Sequence, residues 1–307
     1  MKIVLYTIFA LTAFALNSIL CRLALRGDEA DAAGFTAVRL ISGAAALALI
    51  GMAAARGGST TRNDGERNTP ESASSSLEKG PVATVFGGGS WLSAAALFAD
   101  AICFSIAYLG LTAGTGALIL FGSVQLTMIA TAIGRGERPR PVEWLGFITA
   151  VAGLIYLVLP GLESPPLNSS LLMAAAGASW GVYTLRGKRA GDPLASTTGN
   201  FARTLPFAAA AVAIYLPNLH ISGRRVVLAV LSGAIASGIG YAVWYAAIKH
   251  HTATRTAVLQ LSVPVIAAAL GVLLLGETTT PRLGIAASLI LGGIGVSILG
   301  GKKAAIR

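Results

Sequence analysis

Long apolar stretches recur along almost the whole chain and limit what it can fold into. We identify ten, each of about 20 residues, the length that a helix needs to cross the hydrocarbon layer of a bilayer. They cover residues 3–24, 32–55, 83–109, 113–133, 141–160, 169–187, 194–216, 226–248, 254–275 and 282–300. Charged residues make up only 12% of the sequence, against about 25% in soluble domains. The chain is therefore predicted to be an all-α integral membrane protein with ten transmembrane helices.

The basic residues predict how the chain is oriented in the membrane. With both termini in the cytoplasm, most of the 23 Lys and Arg face the cytoplasm. The loops on the opposite side then carry only Arg22, Arg26, Arg224, Arg225 and Arg282. This distribution follows the positive-inside rule, so the net charge of +10 indicates membrane orientation and not a nucleic-acid partner. We predict a multi-pass membrane protein, with the lipid bilayer around it and both termini cytoplasmic.

An internal repeat divides the chain into two halves. Charged residues around the first two helices recur 164 residues later, where Arg22, Asp28 and Arg39 correspond to Arg186, Asp192 and Arg203. Farther along the shift becomes 140, and both halves contain the pattern G-E-x-x-x-P, at 136–141 and 276–281. The two shifts differ by 24 residues, the length of the segment 57–80, which the second half lacks.

The repeat predicts two five-helix units, residues 1–160 and 161–307. The segment 57–80 is rich in Ser, Thr, Gly and charged residues, which cannot bury enough apolar surface to fold, so we expect a flexible cytoplasmic loop inserted in the first unit. Because five is odd, the second unit enters the membrane from the opposite face. Inverted repeats around a central cavity are a common construction of secondary transporters.

These features resemble the drug/metabolite transporter superfamily, EamA type. The resemblance lies in the two five-helix halves, Arg39 and Arg203 in the second helix of each, the basic connection RGKRAGDP at 186–193, and the paired G-E-x-x-x-P. It covers the chain apart from loop 57–80, and the sequence is most similar to bacterial amino-acid exporters of the YddG kind. It implies a basket of ten helices around a central cavity, with helices 1, 3, 4, 6, 8 and 9 facing the substrate path.

One motif points instead to an enzyme. The stretch GASWG at 177–181 fits the G-x-S-x-G pattern of a serine-hydrolase nucleophile elbow, which requires a strand, a tight turn and a helix. Here it lies inside an apolar run, and the three histidines are all at or beyond predicted helix ends. Metal-ligand motifs such as H-E-x-x-H are absent from the sequence. We predict no catalysis and no metal site, and interpret Gly177 and Gly181 as sites of close helix packing.

Aromatic residues on the predicted cavity helices are candidates for substrate binding. Trp180 lies among small residues, where its ring can line a cavity, although anchoring at the membrane interface is an alternative. Helix 8 carries aromatic residues at the i, i+3, i+4 spacing of one helical face, and helix 3 carries two more at matching positions of the repeat. Such stripes serve either packing or a cavity, and these are Tyr241, Trp244, Tyr245, Phe104 and Tyr108.

Polar side chains deep in the apolar runs are costly and point to functional sites. Asn17, Gln125 and Gln260 are candidates for substrate binding, because amides donate and accept hydrogen bonds without a fixed charge. Hydrogen bonds between helices are the alternative. Asp100 is the carboxylate predicted deepest in the bilayer, and it is a candidate proton-coupling group or a structural partner of an arginine or a helix end.

Arg39 and Arg203, the two arginines matched by the repeat, have two interpretations. Either they are structural ties to loops or helix ends, or they attract a substrate carboxylate. The sequence contains no G-x-x-x-x-G-K-[ST] loop for ATP, which favours a secondary transporter without a cofactor.

The function predicted from these features is export of small metabolites by alternating access, most of all amino acids with apolar or aromatic side chains. The alternative is a multidrug or other metabolite efflux transporter of the same fold coupled to protons. Small multidrug-resistance relatives carry a glutamate in helix 1, and this helix 1 has no acid. Ten helices are enough to enclose a path in one protomer, so we expect a functional monomer.

Overall fold

The computed structural model describes residues 2–27, 30–60, 87–136, 140–159, 161, 164–187, 191–248, 250 and 259–300. Within them a helix lies in each of the ten apolar runs. In chain order these helices are α1 Lys2–Leu25, α2 Ala32–Thr60, α3 Trp91–Ala107, α4 Ala113–Gly134, α5 Pro141–Val158, α6 Leu167–Gly187, α7 Pro193–Tyr215, α8 Gly223–Ile248, α9 Ser262–Leu275 and α10 Pro281–Gly300. The described residues pair as extended chain only at an isolated bridge between Ala30 and Ile221.

Six of these helices are long and apolar enough to cross a membrane, namely α1, α2, α4, α5, α8 and α10. Two more, α3 and α9, are apolar but shorter, with 17 and 14 residues. The chain is thus an α-helical, multi-pass membrane protein.

Two predicted boundaries differ from the structure. The sequence predicts a helix over run 83–109, whereas α3 begins at Trp91. Ser90 caps this helix, because its hydroxyl accepts a hydrogen bond from the Ser93 amide. Conversely, α2 continues to Thr60, four residues into the predicted loop 57–80. Propagating an existing helix adds one hydrogen bond per residue, so polar residues can extend it by a turn. The remainder of that predicted loop, residues 61–80, lies outside the described residues.

The first and last residues of the paired G-E-x-x-x-P motif have the same roles in both halves. Gly136 and Gly276 have φ angles of +91° and +64°, in the left-handed region that favours glycine near a helix C-terminus. Pro141 and Pro281 are the first residues of α5 and α10, where a fixed φ and a missing amide proton are tolerated. The motif therefore ends one helix and starts the next.

Helix packing connects the two halves of the chain throughout. α3 and α4 pack against α6, and α8 and α9 pack against α1. α2 contacts α7 and α8, and α3 contacts α7. Two further contacts join α4 with α9 and α5 with α10. The resulting buried cluster is continuous, with Phe14, Phe104, Phe121, Trp180 and Tyr241 near its centre.

The close crossing of α5 and α10 depends on glycine. A Cβ atom on Gly146 would lie 2.4 Å from the Gly293 carbonyl oxygen, and one on Gly293 would lie 2.6 Å from the Gly146 oxygen. Backbone atoms cannot yield as side chains do, so Gly146→Val is expected to force the helices apart and to destabilise the fold by about 1–3 kcal/mol or more. A lower melting temperature of the detergent-solubilised protein would report this.

The matched control for this substitution is Gly292→Val. It lies next to Gly293 on α10, but a Cβ atom there meets nothing within 4 Å. We expect its melting temperature to equal that of the unmodified protein. Equal effects of the two substitutions would contradict the proposed role of close backbone approach.

Candidate functional site

A small cavity lies at the centre of the helix assembly, and we call it the central cavity. Its volume is about 20 Å³, room for about one water molecule. The cavity is lined by Phe14, Asn17, Arg39, Asp100, Phe104, Leu120, Phe121, Trp180 and Tyr241. It therefore brings together six of the residues singled out in the sequence, namely Asn17, Arg39, Asp100, Phe104, Trp180 and Tyr241. Its walls come from α1, α2, α3, α4, α6 and α8, so α2 contributes and α9 does not.

Aromatic rings form one wall of the central cavity. The ring centroids of Trp180 and Tyr241 are 4.5 Å apart, and Phe14 packs edge-on against both at 5.9 and 5.7 Å. Phe14 also contacts Trp244 at 5.5 Å and Phe121 at 6.5 Å. These aromatic side chains come from α1, α4, α6 and α8, and together they form one apolar surface.

Sequence reasoning missed Phe14 and Phe121 as cavity residues. Each had a signal in the sequence, because Phe14 lies three residues before Asn17 and Phe121 four residues before Gln125. Residues three or four apart share a helical face. An aromatic residue on the same helical face as a candidate amide could therefore have identified both phenylalanines as cavity residues.

Arg39 reaches the same cavity from α2. Its Nε donates to the Ser237 hydroxyl at 3.0 Å, and its Nη2 lies 3.4 Å from the Tyr241 hydroxyl. The guanidinium carbon lies 5.0 Å from the centroid of the Phe104 ring, a cation–π distance. The remaining nitrogen, Nη1, is buried and has no hydrogen-bond partner among the described residues.

Asp100 lies in α3 and lines the cavity with 4% of its surface exposed. Among the described residues, no hydrogen bond or ion pair engages its carboxylate. Buried carboxylates are normally paired or hydrogen-bonded, so this side chain is exceptional.

Asn17 is held by an unusual part of α8. Its Oδ1 accepts a hydrogen bond of 2.6 Å from the Ser232 hydroxyl. Ser232 and Ser237 both belong to the π-helical segment Leu231–Ile239, and π-helical turns occur frequently at functional sites. The wider turn thus presents one serine to Asn17 and another to Arg39.

The other five candidate residues surround the cavity without lining it. Gln125 donates to the Gln260 side-chain oxygen at 3.3 Å, the interhelical bond that was the alternative for both. Within the described ranges, Gln260 Nε2 is buried and has no hydrogen-bond partner. Tyr108 packs 4.7 Å from Phe104. Trp244 and Tyr245 are buried, and the Trp244 Nε1 and Tyr245 hydroxyl atoms have no partner in the described part of the chain.

A larger, open cavity lies where α3, α4, α6 and α7 meet, and we call it the vestibule. Its volume is about 410 Å³. Arg186 lines it and donates to the hydroxyls of Ser93 and Ser90 at 2.9 and 3.1 Å. Arg135 and Asn200 also line it. Basic groups at its mouth give it a positive potential.

On the opposite side of the helix assembly from the vestibule, polar contacts join helix ends and the connections between helices. We call this group of contacts the seal. Arg22 at the end of α1 lies 3.5 Å from Glu277 in an ion pair and donates to the Tyr108 carbonyl at 2.8 Å. The other Glu277 oxygen accepts from the Ala113 amide at 2.8 Å. Arg26 donates to the Leu275 carbonyl at 2.9 Å. These contacts tie α1 to the α3–α4 and α9–α10 connections.

The two arginines matched by the repeat have different surroundings. Arg203 donates to the carbonyls of Gly88 and Gly199 at 2.6 and 2.9 Å, in agreement with the predicted tie to a loop. Arg39 instead bonds to side chains of α8 beside the central cavity.

The stretch GASWG is helix-packing sequence. It lies within the continuous helix α6 and not on a turn between strand and helix. A Cβ atom on Gly177 would lie 2.4 Å from the Leu120 carbonyl, and one on Gly181 would lie 3.1 Å from Thr127 atoms. Both glycines therefore allow α6 to approach α4 closely, and the hydrolase interpretation has no structural basis.

Comparisons with known proteins agree with a transporter fold. The EamA-like transporter family matches residues 167–299. An uncharacterized protein of Pseudomonas aeruginosa is 46% identical over 95% of this chain and 93% of its own. A "Probable amino-acid metabolite efflux pump" of Salmonella typhimurium is 26% identical over 65% of this chain and 72% of its own. The "Threonine/homoserine exporter RhtA" of Salmonella typhimurium is 30% identical over 46% and 49%.

A solved structure has the same fold. It is named only "Crystal structure of protein", is 22% identical and aligns with a TM-score of 0.60 over 96% of this chain and 97% of its own. The apolar helices, the family match and the named relatives together identify a membrane transporter of the drug/metabolite superfamily. Within that superfamily, the chain belongs to the EamA-like transporter family.

Proposed function

We propose that the protein is a secondary transporter that exports amino acids with apolar or aromatic side chains across the bacterial inner membrane. The observation that carries this proposal is the central cavity, in which aromatic rings and two buried charges line one small space. Such a lining suits a molecule with an apolar side chain and charged ends. The names of the relatives, an amino-acid metabolite efflux pump and a threonine/homoserine exporter, support amino acids as the substrate, while the preference for apolar or aromatic side chains rests on the rings of the cavity.

Ten membrane crossings in two inverted repeats are part of the proposal. Each helix of one half has a counterpart five places along the chain, so α3, α4 and α6 correspond to α8, α9 and α1. The packing of α3 and α4 on α6 therefore has its equivalent in the packing of α8 and α9 on α1. In the same way, the α2–α8 contact has its equivalent in the α7–α3 contact. A pattern of contacts that recurs under this correspondence supports a two-fold relation between residues 1–160 and 161–307.

The different structures at the two ends of the path support alternating access as part of the proposal. With both termini in the cytoplasm, the vestibule faces the cytoplasm and the seal faces the opposite side. Arg135 and Arg186 at the vestibule attract the carboxylate of an entering amino acid. Opening of the seal and closure of the vestibule would then release the substrate outside.

The proposed substrate-binding residues fall into two groups. Trp180, Tyr241, Phe104 and Asn17 line the central cavity, where ring faces accept side chains of many shapes. The second group surrounds it and would join the lining when the cavity expands: Tyr108, Gln125, Trp244, Tyr245 and Gln260. The whole path lies within one chain, which supports a functional monomer.

The second candidate function is proton-coupled efflux of drugs or other metabolites. It rests on Asp100, a buried carboxylate without a described partner, which is the kind of group that carries protons in membrane transporters. In this case the pH gradient would drive transport through Asp100.

Counterflow in proteoliposomes tests both candidates. The purified protein is reconstituted with unlabelled amino acid inside, and entry of labelled phenylalanine, leucine, threonine and lysine is measured with and without a pH gradient. We expect accumulation of phenylalanine and leucine well above that of lysine. Transport of a cationic drug panel in the absence of amino-acid counterflow would replace the first proposal with the second.

A further inference from the structure

We infer that Arg39 and Asp100 bind the two charged groups of one amino-acid substrate, Arg39 its carboxylate and Asp100 its ammonium group. This inference rests on the proposed function and adds the chemistry by which the central cavity selects a zwitterion. Both residues line that cavity, although they come from different helices, α2 and α3.

Arg39 is fixed in place and still has a donor to offer. Its hydrogen bonds to Ser237 and Tyr241 and its position over the Phe104 ring hold the guanidinium plane. Nη1 is left buried and unpartnered while the side chain is 2% exposed. A rigid guanidinium with a free nitrogen is suited to a carboxylate, which it binds through charge-assisted hydrogen bonds.

Asp100 supplies the complementary charge. Its carboxylate is 4% exposed and has no described hydrogen bond, so its oxygens remain available as acceptors. A substrate ammonium group has three donors and one positive charge. Because both side chains are almost fully buried, attraction between these charges and the substrate is stronger than in bulk solvent.

A purely structural role explains this arrangement less well. Buried charges in membrane proteins normally pair with one another, and leaving either unpaired costs several kcal/mol. Arg39 and Asp100 line the same cavity, yet the described residues contain a single ion pair, Arg22 with Glu277. The two charges thus line one cavity and interact electrostatically, but they form no ion pair within 4 Å in the described part of the chain. A zwitterion between them would satisfy both at once.

The surrounding rings complete the recognition. Trp180, Tyr241 and Phe14 lie in the same lining and would receive the side chain while the charges hold the backbone groups. A volume of about 20 Å³ admits no amino acid, so the helices must move apart for substrate to enter. Charge recognition and ring contacts would then both form as the cavity closes around it.

Three related ligands separate the two charges experimentally. L-phenylalanine carries both groups, 3-phenylpropanoate lacks the ammonium group, and phenethylamine lacks the carboxylate. Each is titrated against the full-length, detergent-solubilised protein, and its apparent affinity is obtained from the increase in melting temperature. In the unmodified protein, phenylalanine should bind at least about 30-fold more tightly than either analogue, because each analogue leaves one buried charge unpaired.

The variants should remove this preference selectively. Asp100→Asn should weaken phenylalanine binding at least about 30-fold and leave 3-phenylpropanoate binding unchanged or stronger. Arg39→Gln, whose amide can still bond to Ser237, should weaken phenylalanine binding similarly and leave phenethylamine binding unchanged. The control is Asp192→Asn at the start of α7, where asparagine keeps the helix cap that Asp192 provides; it should bind all three ligands normally.

Several results would overturn the inference. If Asp100→Asn keeps normal phenylalanine affinity but loses its response to a pH gradient in proteoliposomes, Asp100 carries protons instead. If it weakens phenylalanine and 3-phenylpropanoate equally, its role is structural. Asp100→Asn loses no described hydrogen bond or ion pair and keeps the size of the side chain, so it decides the question even if Arg39→Gln fails to fold. Failure of the proposed function itself differs from all of these, because the unmodified protein would then neither bind nor exchange any amino acid.

Discussion

Trp180→Ala is expected to reduce amino-acid counterflow at least about 30-fold, since removing an aromatic anchor in a buried pocket costs about 2 kcal/mol or more. The indole is 4% exposed and lies in the lining of the central cavity. It packs against Tyr241 on one side and Tyr183 on the other, with centroids 4.5 and 5.4 Å away. Alanine would remove the largest ring of the apolar wall and leave space that water can enter. Initial rates of labelled phenylalanine counterflow in proteoliposomes measure the effect.

Two further variants separate binding from packing in this prediction. Trp180→Phe keeps an aromatic face, so it should retain most of the flux and most of the thermal stability. Trp91→Ala removes the same side chain from the start of α3, where it is 59% exposed and far from the cavity lining. It should transport normally. If Trp180→Ala transports as well as Trp91→Ala, the proposed aromatic wall does not contact substrate.

The sequence predicted the helices well because the bilayer imposes simple rules on them. A chain with few charges must satisfy its backbone hydrogen bonds internally, so each apolar run becomes a helix. The starts of α5 and α10 were also readable, because Pro141 and Pro281 favour the first turn. The start of α3 was missed because Ser90 acts through a side-chain cap within an otherwise small and apolar stretch.

The partners of the buried polar side chains could not be predicted from the sequence, because these side chains bond to residues of the other half of the chain. Gln125 and Gln260 are far apart in the chain but bond to each other. Asn17 was a candidate on α1, yet its partner Ser232 could not be identified without the packing of α1 on α8. Sequence reasoning therefore gave the residue types of the site and not their pairing.

The difference between Arg39 and Arg203 has a physical reason in the sequence. Arg39 faces Ser237 and Tyr241 on α8, whereas the positions 140 residues earlier on α3 are Leu97 and Ala101. Arg203 thus finds no hydroxyl partner there and bonds to the Gly88 carbonyl. Asp100 likewise corresponds to Gly240. The two halves of the chain thus have similar helices but different side chains at equivalent positions. For this reason the charged residues of the central cavity come from the first half alone.

Glu277→Gln is expected to open the seal without changing the size of the side chain. It removes the negative charge that faces Arg22 at 3.5 Å and weakens the acceptor of the Ala113 amide. Both side chains are partly exposed, at 21% and 12%, so solvent screens the pair and the effect lies at the low end for a charged hydrogen bond. A loss near 1.4 kcal/mol would increase the fraction of molecules with an open seal about tenfold.

Cys21 provides a native reporter of this opening. It is fully buried in α1, next to Arg22 in sequence and one helical turn from Asn17 of the central cavity. A reagent that reaches Cys21 from outside must therefore have passed the seal. In a Cys103→Ser background, a membrane-impermeant maleimide applied to the outer face should label Cys21 about tenfold faster in Glu277→Gln than in the parent protein.

The control replaces a carboxylate outside the seal. Glu143 accepts a hydrogen bond from the Arg140 amide at the start of α5, so Glu143→Gln perturbs a helix end but leaves the seal intact, and Cys21 labelling should not change.

Faster labelling of Cys21 only from the cytoplasmic face would reverse the proposed orientation, because the seal would then lie inside. Equal labelling rates in Glu277→Gln and the parent would mean that backbone contacts such as Arg26 to Leu275 hold the seal closed and the ion pair does not. Only a selective increase from the outer face fits a seal whose opening is limited by the charge of Glu277.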